Sequence, residues 1–294
     1  MTGGRFDFDP GAVTALLAEA SRTLIMPKFG RLADDEIRSK SSPADLVTEV
    51  DVTVEAFLRD RLRALAPDAV FVGEEAAAAD PAIVAAVEGA GSAWILDPLD
   101  GTRNFVKGVR EFATILAYVE DGRAVAGWIY ACPDDFAATA VRGEGALIDG
   151  APPPAGGPAA EPPQGMRSIS WLAEEWRERL LANLQDGVVT RSGHCSAYAY
   201  LKLIRGEVDF KLSSRIHPWD HVAGALMLEE VGGAAAYIDK GAHGEPFMPA
   251  DSADRPLLAT APGRDWRAIA DILLNGPPAS DVEMAEKDRD DADG

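Results

Sequence analysis

Apolar residues at Val13, Leu16, Leu17, Ala20 and Leu24 recur every three to four positions, which predicts a helix over 10–28. Val50, Val54, Phe57, Leu58 and Leu62 repeat the spacing and predict a second helix over 46–65. Two short apolar runs follow, 69–72 ending at Gly73 and 93–96 ending at Asp97-Pro98. Both predict buried strands, the second stopped by a proline that cannot donate to a ladder. Further strands are predicted over 111–119, 124–130 and 136–141, the first two joined as a hairpin by Glu120-Asp121-Gly122-Arg123. A stretch rich in proline and glycine then interrupts the pattern at 151–164. Beyond it, strands are predicted at 166–170, 188–191, 208–212, 234–238 and 256–260, and helices at 174–185, 197–205, 220–231 and 265–274. Gly232-Gly233 closes the third of these helices. Strands alternating with helices predict stacked α/β layers. The interruption divides the chain into an N-terminal half (1–150), a loop (151–165) and a C-terminal half (166–276). The acidic segment 277–294 has no apolar pattern and is expected to be a disordered tail.

Composition narrows the class. The chain has 294 residues, 47% of them hydrophobic, as a globular protein should. Its formal net charge of −20, with no Lys/Arg cluster, excludes nucleic-acid binding through a basic face. The same charge would repel an anionic substrate unless cations reverse the field locally. No uncharged apolar run approaches membrane-spanning length, and the first ten residues, with Asp7 and Asp9, do not fit a signal peptide. Cys132 and Cys195 make neither a CxxC motif nor a disulfide framework, so reduced thiols and a cytoplasmic location are expected.

The chemistry lies in carboxylates. Asp97 and Asp100 stand in Trp94-Ile95-Leu96-Asp97-Pro98-Leu99-Asp100-Gly101-Thr102, where a kink at Pro98 would turn both toward one point and free the Leu99 carbonyl. Gly101 permits close backbone approach, and a helix opening at Thr102 would offer bare amides to a phosphate. Glu74 follows a strand in Gly73-Glu74-Glu75, Asp45 lies in Lys40-Ser41-Ser42-Pro43-Ala44-Asp45-Leu46-Val47-Thr48, and Asp220 lies in Pro218-Trp219-Asp220. Asp45 and Asp220 each precede a helical run, so each also suits a helix cap. So many acids share a site only if cations offset their repulsion, and all-oxygen donors favour Mg²⁺. His217 and His221 flank Asp220, but no third soft ligand stands near to favour zinc. Ser192 and Cys195 have no identifiable base and are not nucleophile candidates; Gly143-Glu144-Gly145 is too short for a P-loop.

These four elements, which follow one another along the chain in the family's order, resemble over about residues 10–275 the inositol monophosphatase family of magnesium-dependent, lithium-sensitive phosphatases. The resemblance implies a five-layer α-β-α-β-α sandwich of the inositol monophosphatase/fructose-1,6-bisphosphatase type, and a homodimer. It implies that Glu74, Asp97 and the Leu99 carbonyl bind one Mg²⁺, and Asp97, Asp100 and Asp220 a second. A looser third ion would lean on Glu74, and Mn²⁺ is a possible substitute. Asp45 would pair with Thr102 and, with Glu74, activate water. Asp100, Gly101, Thr102, His194, Ser196, Ser213 and Asp220 would contact a small phosphorylated metabolite. The substrate stays open among an inositol phosphate, a sugar phosphate, histidinol phosphate and a 3′-phosphonucleotide. Ser213 stands where inositol enzymes carry a glutamate, and Lys211 and Arg215 nearby could instead attract a second negative group. The alternative function is a non-catalytic phosphometabolite-binding protein on the same fold.

Overall fold

The computed structural model describes residues 6–32, 37–39, 46–187, 189–241 and 243–276. Helix α1 (Pro10–Ala20) starts on Asp9, whose carboxylate accepts from the Gly11 amide at 2.9 Å. A π turn (Ser21–Ile25) and a 3-10 turn (Met26–Lys28) continue it, so the helix expected over 10–28 is present in three pieces. Strands β1 (Ile37–Ser39) and β2 (Leu46–Thr48) pair antiparallel ahead of α2 (Glu49–Leu65). The helix expected from residue 46 therefore begins three residues later, because 46–48 pairs as a strand and Thr48 caps the helix.

Next come β3 (Val70–Gly73), α3 (Glu74–Ala79), α4 (Ala86–Gly89), β4 (Ser92–Asp100) and the short α5 (Thr102–Val106). Strands β5 (Ala113–Glu120), β6 (Arg123–Ala131), β7 (Phe136–Val141) and β8 (Gly145–Ile148) form a meander; β8 was not anticipated. After the proline-rich segment come β9 (Gln164–Ser168), α6 (Glu174–Gly187), β10 (Val189–Ser192), α7 (Ser196–Ile204) and β11 (Phe210–Ile216). The fold closes with α8 (Pro218–Glu230), β12 (Ala234–Tyr237), β13 (Glu245–Pro246), β14 (Ala253–Thr260) and α9 (Trp266–Asn275). The expected tail, 277–294, lies outside the described residues.

Among the described residues, two six-stranded sheets have the orders β3-β4-β5-β6-β7-β8 and β10-β9-β11-β14-β12-β13. Strand β4 shows how they are stacked. Trp94 and Leu96 join Val13, Leu17 and Leu58 of α1 and α2, while Ala93 and Ile95 join Tyr200 and Ala223 of α7 and α8. A strand covered on both faces has no solvent side, so residues 93–100 are all buried. The second sheet packs Phe210, Leu212 and Leu258 against Leu180 and Leu184 of α6 and Ile269 and Leu273 of α9. Its other face brings Ala259 into the α7/α8 cluster, which completes five layers, α-β-α-β-α. The middle layer is tight: a Cβ at Gly224 would fall 2.2 Å from the Tyr200 ring, so α7 and α8 approach only because that position is glycine.

Candidate active site

Asp97 and Asp100 are three residues apart, and in a regular strand they would point to opposite faces. The strand expected to stop at Pro98 instead runs on to Asp100. Its pairing shifts register between Asp97↔Ile115 and Asp100↔Ala113, so three steps on β4 match two on β5. That bulge, at a proline with no amide to pair, puts both carboxylates on one side. Asp220, in the first turn of α8, meets them there: one oxygen from each of Asp97, Asp100 and Asp220 lies within 4.8 Å of the others. Glu74, at the start of α3, and Leu99, Gly101, Thr102 and His194 line the same cavity of about 670 Å³.

Each acid is held differently. Asp100 accepts from the Ala197 amide at 2.7 Å, the Ser196 amide at 3.1 Å and the Cys195 thiol at 2.8 Å, all at the start of α7. Gly101 has φ +85, and a Cβ there would lie 2.8 Å from the Glu111 carbonyl oxygen. Only glycine therefore fits between the end of β4 and the Glu111 backbone. Asp97 accepts the Leu99 amide at 3.0 Å. Burial, then Glu74, Asp100, Asp220 and Asp51, push its carboxyl well above the usual range. Burial, then Asp100 and Glu74, push Asp220 up to about 8, against the opposing pull of Lys211 and Arg215. Burial also raises Asp100, against the three donors of α7. The cluster is electrostatically frustrated by itself. Its donors are hard carboxylate oxygens, which fit Mg²⁺.

Asp45 lies outside the described residues. The carboxylate that meets Thr102 is Asp51, whose Oδ1 accepts from the Thr102 hydroxyl at 3.1 Å. Asp51 is the third residue of α2, and its Oδ2 accepts from the Thr48 amide at 2.8 Å and the Thr48 hydroxyl at 2.6 Å. Thr48 and Asp51 thus form a capping box that fixes the carboxylate before it reaches Thr102. The Thr-x-x-Asp spacing at 48–51 is the sequence signal for this residue, and the expectation of Asp45 passed it over. The Thr102 hydroxyl also lies 2.9 Å from the Leu99 carbonyl, so its single proton serves one acceptor at a time.

Glu55 was missed altogether. One turn after Asp51, buried to 4% exposure, it accepts from the Glu75 amide at 2.8 Å and the Ala76 amide at 3.0 Å. It therefore caps α3 and fixes the turn that carries Glu74. A Cβ at Gly73 would fall 2.3 Å from its carboxyl, which ties that glycine to the same contact. An acid between the inward Val54 and Leu58 was the available clue.

Beside this cavity lies a second of about 500 Å³, and Asp100, His194, Arg215 and Asp220 border both. Ser196 and Ser213 open only onto the second, with Lys211 and His221. His217 borders the first and stacks on Trp219 at 4.7 Å. His221 is buried, holds the Tyr200 hydroxyl at 3.0 Å through Nδ1, and is kept neutral by burial and by Lys211. Cys195 is a neutral thiol, raised first by burial and then by Asp100.

The model of the inositol monophosphatase family matches residues 11–273. The chain belongs to that family. Its members are phosphoric monoester hydrolases, and this protein is one of them. It is 34% identical to the inositol-1-monophosphatase of Bacillus subtilis (strain 168) over 215 residues, 72% of this chain and 78% of that one. It is 31% identical to the histidinol-phosphatase of Mycobacterium tuberculosis over 240 residues, 78% and 88% of the two chains. A solved IMPase/NADP phosphatase complexed with Mg²⁺ and phosphate shares the fold, with TM-score 0.73 at 20% identity over 92% of this chain and 95% of that one. Among the described residues no helix is long and apolar enough to cross a membrane.

Proposed function

We propose that this family member is a magnesium-dependent phosphomonoesterase that hydrolyses a small phosphorylated alcohol by direct attack of water. The observation that carries the reading is the convergence of Asp97 and Asp100, both buried, with the partly buried Asp220, acids whose charges cannot coexist without cations. Glu74, Asp97, the Leu99 carbonyl, Asp100 and Asp220 would hold two to three Mg²⁺ ions, with Mn²⁺ as a substitute. When bound, the ions supply Lewis acidity toward the phosphoryl group and the water.

The remaining work falls to the chain. In this reading Asp51 takes the part first expected of Asp45, supported by its 3.1 Å bond with Thr102. The Thr102 hydroxyl passes its proton to Asp51 as it accepts one from the attacking water, while Glu74 helps to orient that water. The amides of Gly101 and Thr102 face the phosphate. His194, Ser196 and Ser213 meet the alcohol, which leaves toward the second cavity. A homodimer in the cytoplasm completes the proposal.

Phosphate release from a panel of phosphorylated metabolites tests it. EDTA should abolish release and Mg²⁺ restore it, and lithium should inhibit by occupying the Asp97/Asp100/Asp220 site. Full activity in rigorously metal-free buffer would sink the mechanism. Binding of the panel without release would favour a phosphometabolite-binding protein.

A further inference from the structure

Strand β11 turns one face toward the second cavity, and its alternate residues Lys211, Ser213 and Arg215 all line it. In a chain of net charge −20, two cations and no acid on that face form a local reversal of sign. Lys211 is the more informative of the two. It is 6% exposed, and its ammonium touches only the Ser196 hydroxyl at 3.4 Å, His221 Nδ1 at 3.5 Å and the Tyr200 ring at 4.8 Å. Among the described residues no carboxylate comes within 4.0 Å of it. A buried charge with only long, neutral contacts lacks its counterpart. Arg215 holds its guanidinium over Trp171 at 4.4 Å, which fixes the second cation of the β11 face in place.

A plainer role for Lys211 is to offset Asp100 and Asp220, which it feels through space. That role lapses once cations neutralise those acids, and the ammonium then remains buried beside a site already balanced. An anion in the cavity satisfies it. Because Asp100, His194, Arg215 and Asp220 border both cavities, a molecule with one phosphate among the acids extends directly toward Lys211. We propose that the β11 cavity is a subsite for a second anionic group, so that the preferred substrates carry a phosphate or carboxylate besides the phosphate that is cleaved. This rests on the phosphatase reading above and names the class of its substrate.

The test measures kcat and KM, with Mg²⁺, for a hexose 1,6-bisphosphate, the matching hexose 6-phosphate and 3-phosphoglycerate. The bisphosphate should exceed the monophosphate at least tenfold in kcat/KM, chiefly through KM. The phosphoglycerate distinguishes a subsite that reads any anion from one that needs a phosphate, and either result supports the subsite if the bisphosphate is preferred. Lys211→Met and Arg215→Gln should each shrink that preference severalfold, and Lys211→Arg should keep most of it. Arg215 is only partly buried, so its variant tests the idea even if Lys211→Met fails to fold. Equal or better use of the monophosphate, or an Arg215→Gln ratio that does not move, overturns the subsite alone. Release from none of the three or from the wider panel overturns the phosphatase reading and the subsite with it.

Discussion

The acidic floor on β4 and the basic wall on β11 face each other across one pair of cavities, yet they are built on different terms. The floor is made by backbone devices. A bulge at Pro98 turns Asp97 and Asp100 the same way, a capping box fixes Asp51, and the amides of α7 grip Asp100. The wall is made by side-chain choice at alternate positions of one strand, and Lys211 there is held by neutral contacts no shorter than 3.4 Å. In the proposed function, a floor of that kind would tolerate little change and would set the rate, whereas a wall that can be rewritten one residue at a time would set the choice of substrate.

The largest expected effect lies on the floor. Asp97→Asn should lose orders of magnitude in kcat. In metal-free buffer its melting temperature should equal or exceed the parent's, since the change relieves repulsion among Asp97, Glu74, Asp100 and Asp220. A large fall in that melting temperature would make Asp97 a structural residue and dissolve the contrast with the wall.

Next in size is the pair at Thr102. Asp51→Asn should lower kcat by roughly a hundred- to ten-thousandfold, the usual range for a group that takes a proton in the transition state. It should also cost about 1 kcal/mol of stability through the capping box. Asp45→Asn should cost far less activity. The reverse order, measured by steady-state kinetics, would return the proton-accepting role to Asp45.

The contrast also explains what could be read from the chain before its structure. Layers, most elements and the cavity-lining acids were legible because periodicity and the Asp-Pro-Leu-Asp-Gly-Thr run are local. The continuation of β4 past Pro98 was not, since the bulge depends on its pairing with β5. Nor was Asp51's reach to Thr102, which spans 51 positions of sequence. Glu55 escaped for a related reason: a buried acid on a helix face acquires meaning only from the amides that fold over it, here Glu75 and Ala76. Lys211 and Arg215 were visible as charges, but the burial of Lys211 and the cavity the two share were not.

On the wall the expected effects are smaller. Ser213→Glu sets a carboxylate between Lys211 and Arg215 on their own face. It should lower kcat/KM for a bisphosphate relative to an inositol monophosphate by roughly ten- to hundredfold, in line with roughly 1.5–3 kcal/mol for a hydrogen bond to a charged group. Wild type should not favour myo-inositol 1-phosphate over the panel. A substrate ratio unmoved by Ser213→Glu would place the substrate's leaving group elsewhere.

The smallest effect is thermodynamic and concerns the floor without its cations. Asp220, raised to about 8 chiefly by burial, keeps its proton in the folded state at pH values where an unfolded aspartate, near 3.8, has lost it. Between those limits the folded state binds more protons than the unfolded one, so this group's contribution to stability falls as pH rises. The slope is at most about 1.4 kcal/mol per pH unit, or roughly 2–4 °C in melting temperature for a chain of this size. Asp220→Asn removes the titration. In EDTA the variant should therefore gain on wild type steadily from pH 5 to pH 7. Lys211 does not blur that window: burial lowers it to about 8, so its own contribution rises with pH only above that point. Excess Mg²⁺ should flatten the wild-type slope, because an ion favours the charged carboxylate that burial disfavours. Parallel melting curves for the two proteins in EDTA would mean that Asp220 is already ionised without metal, with Lys211 as its counter-ion, and the wall would then be part of the floor.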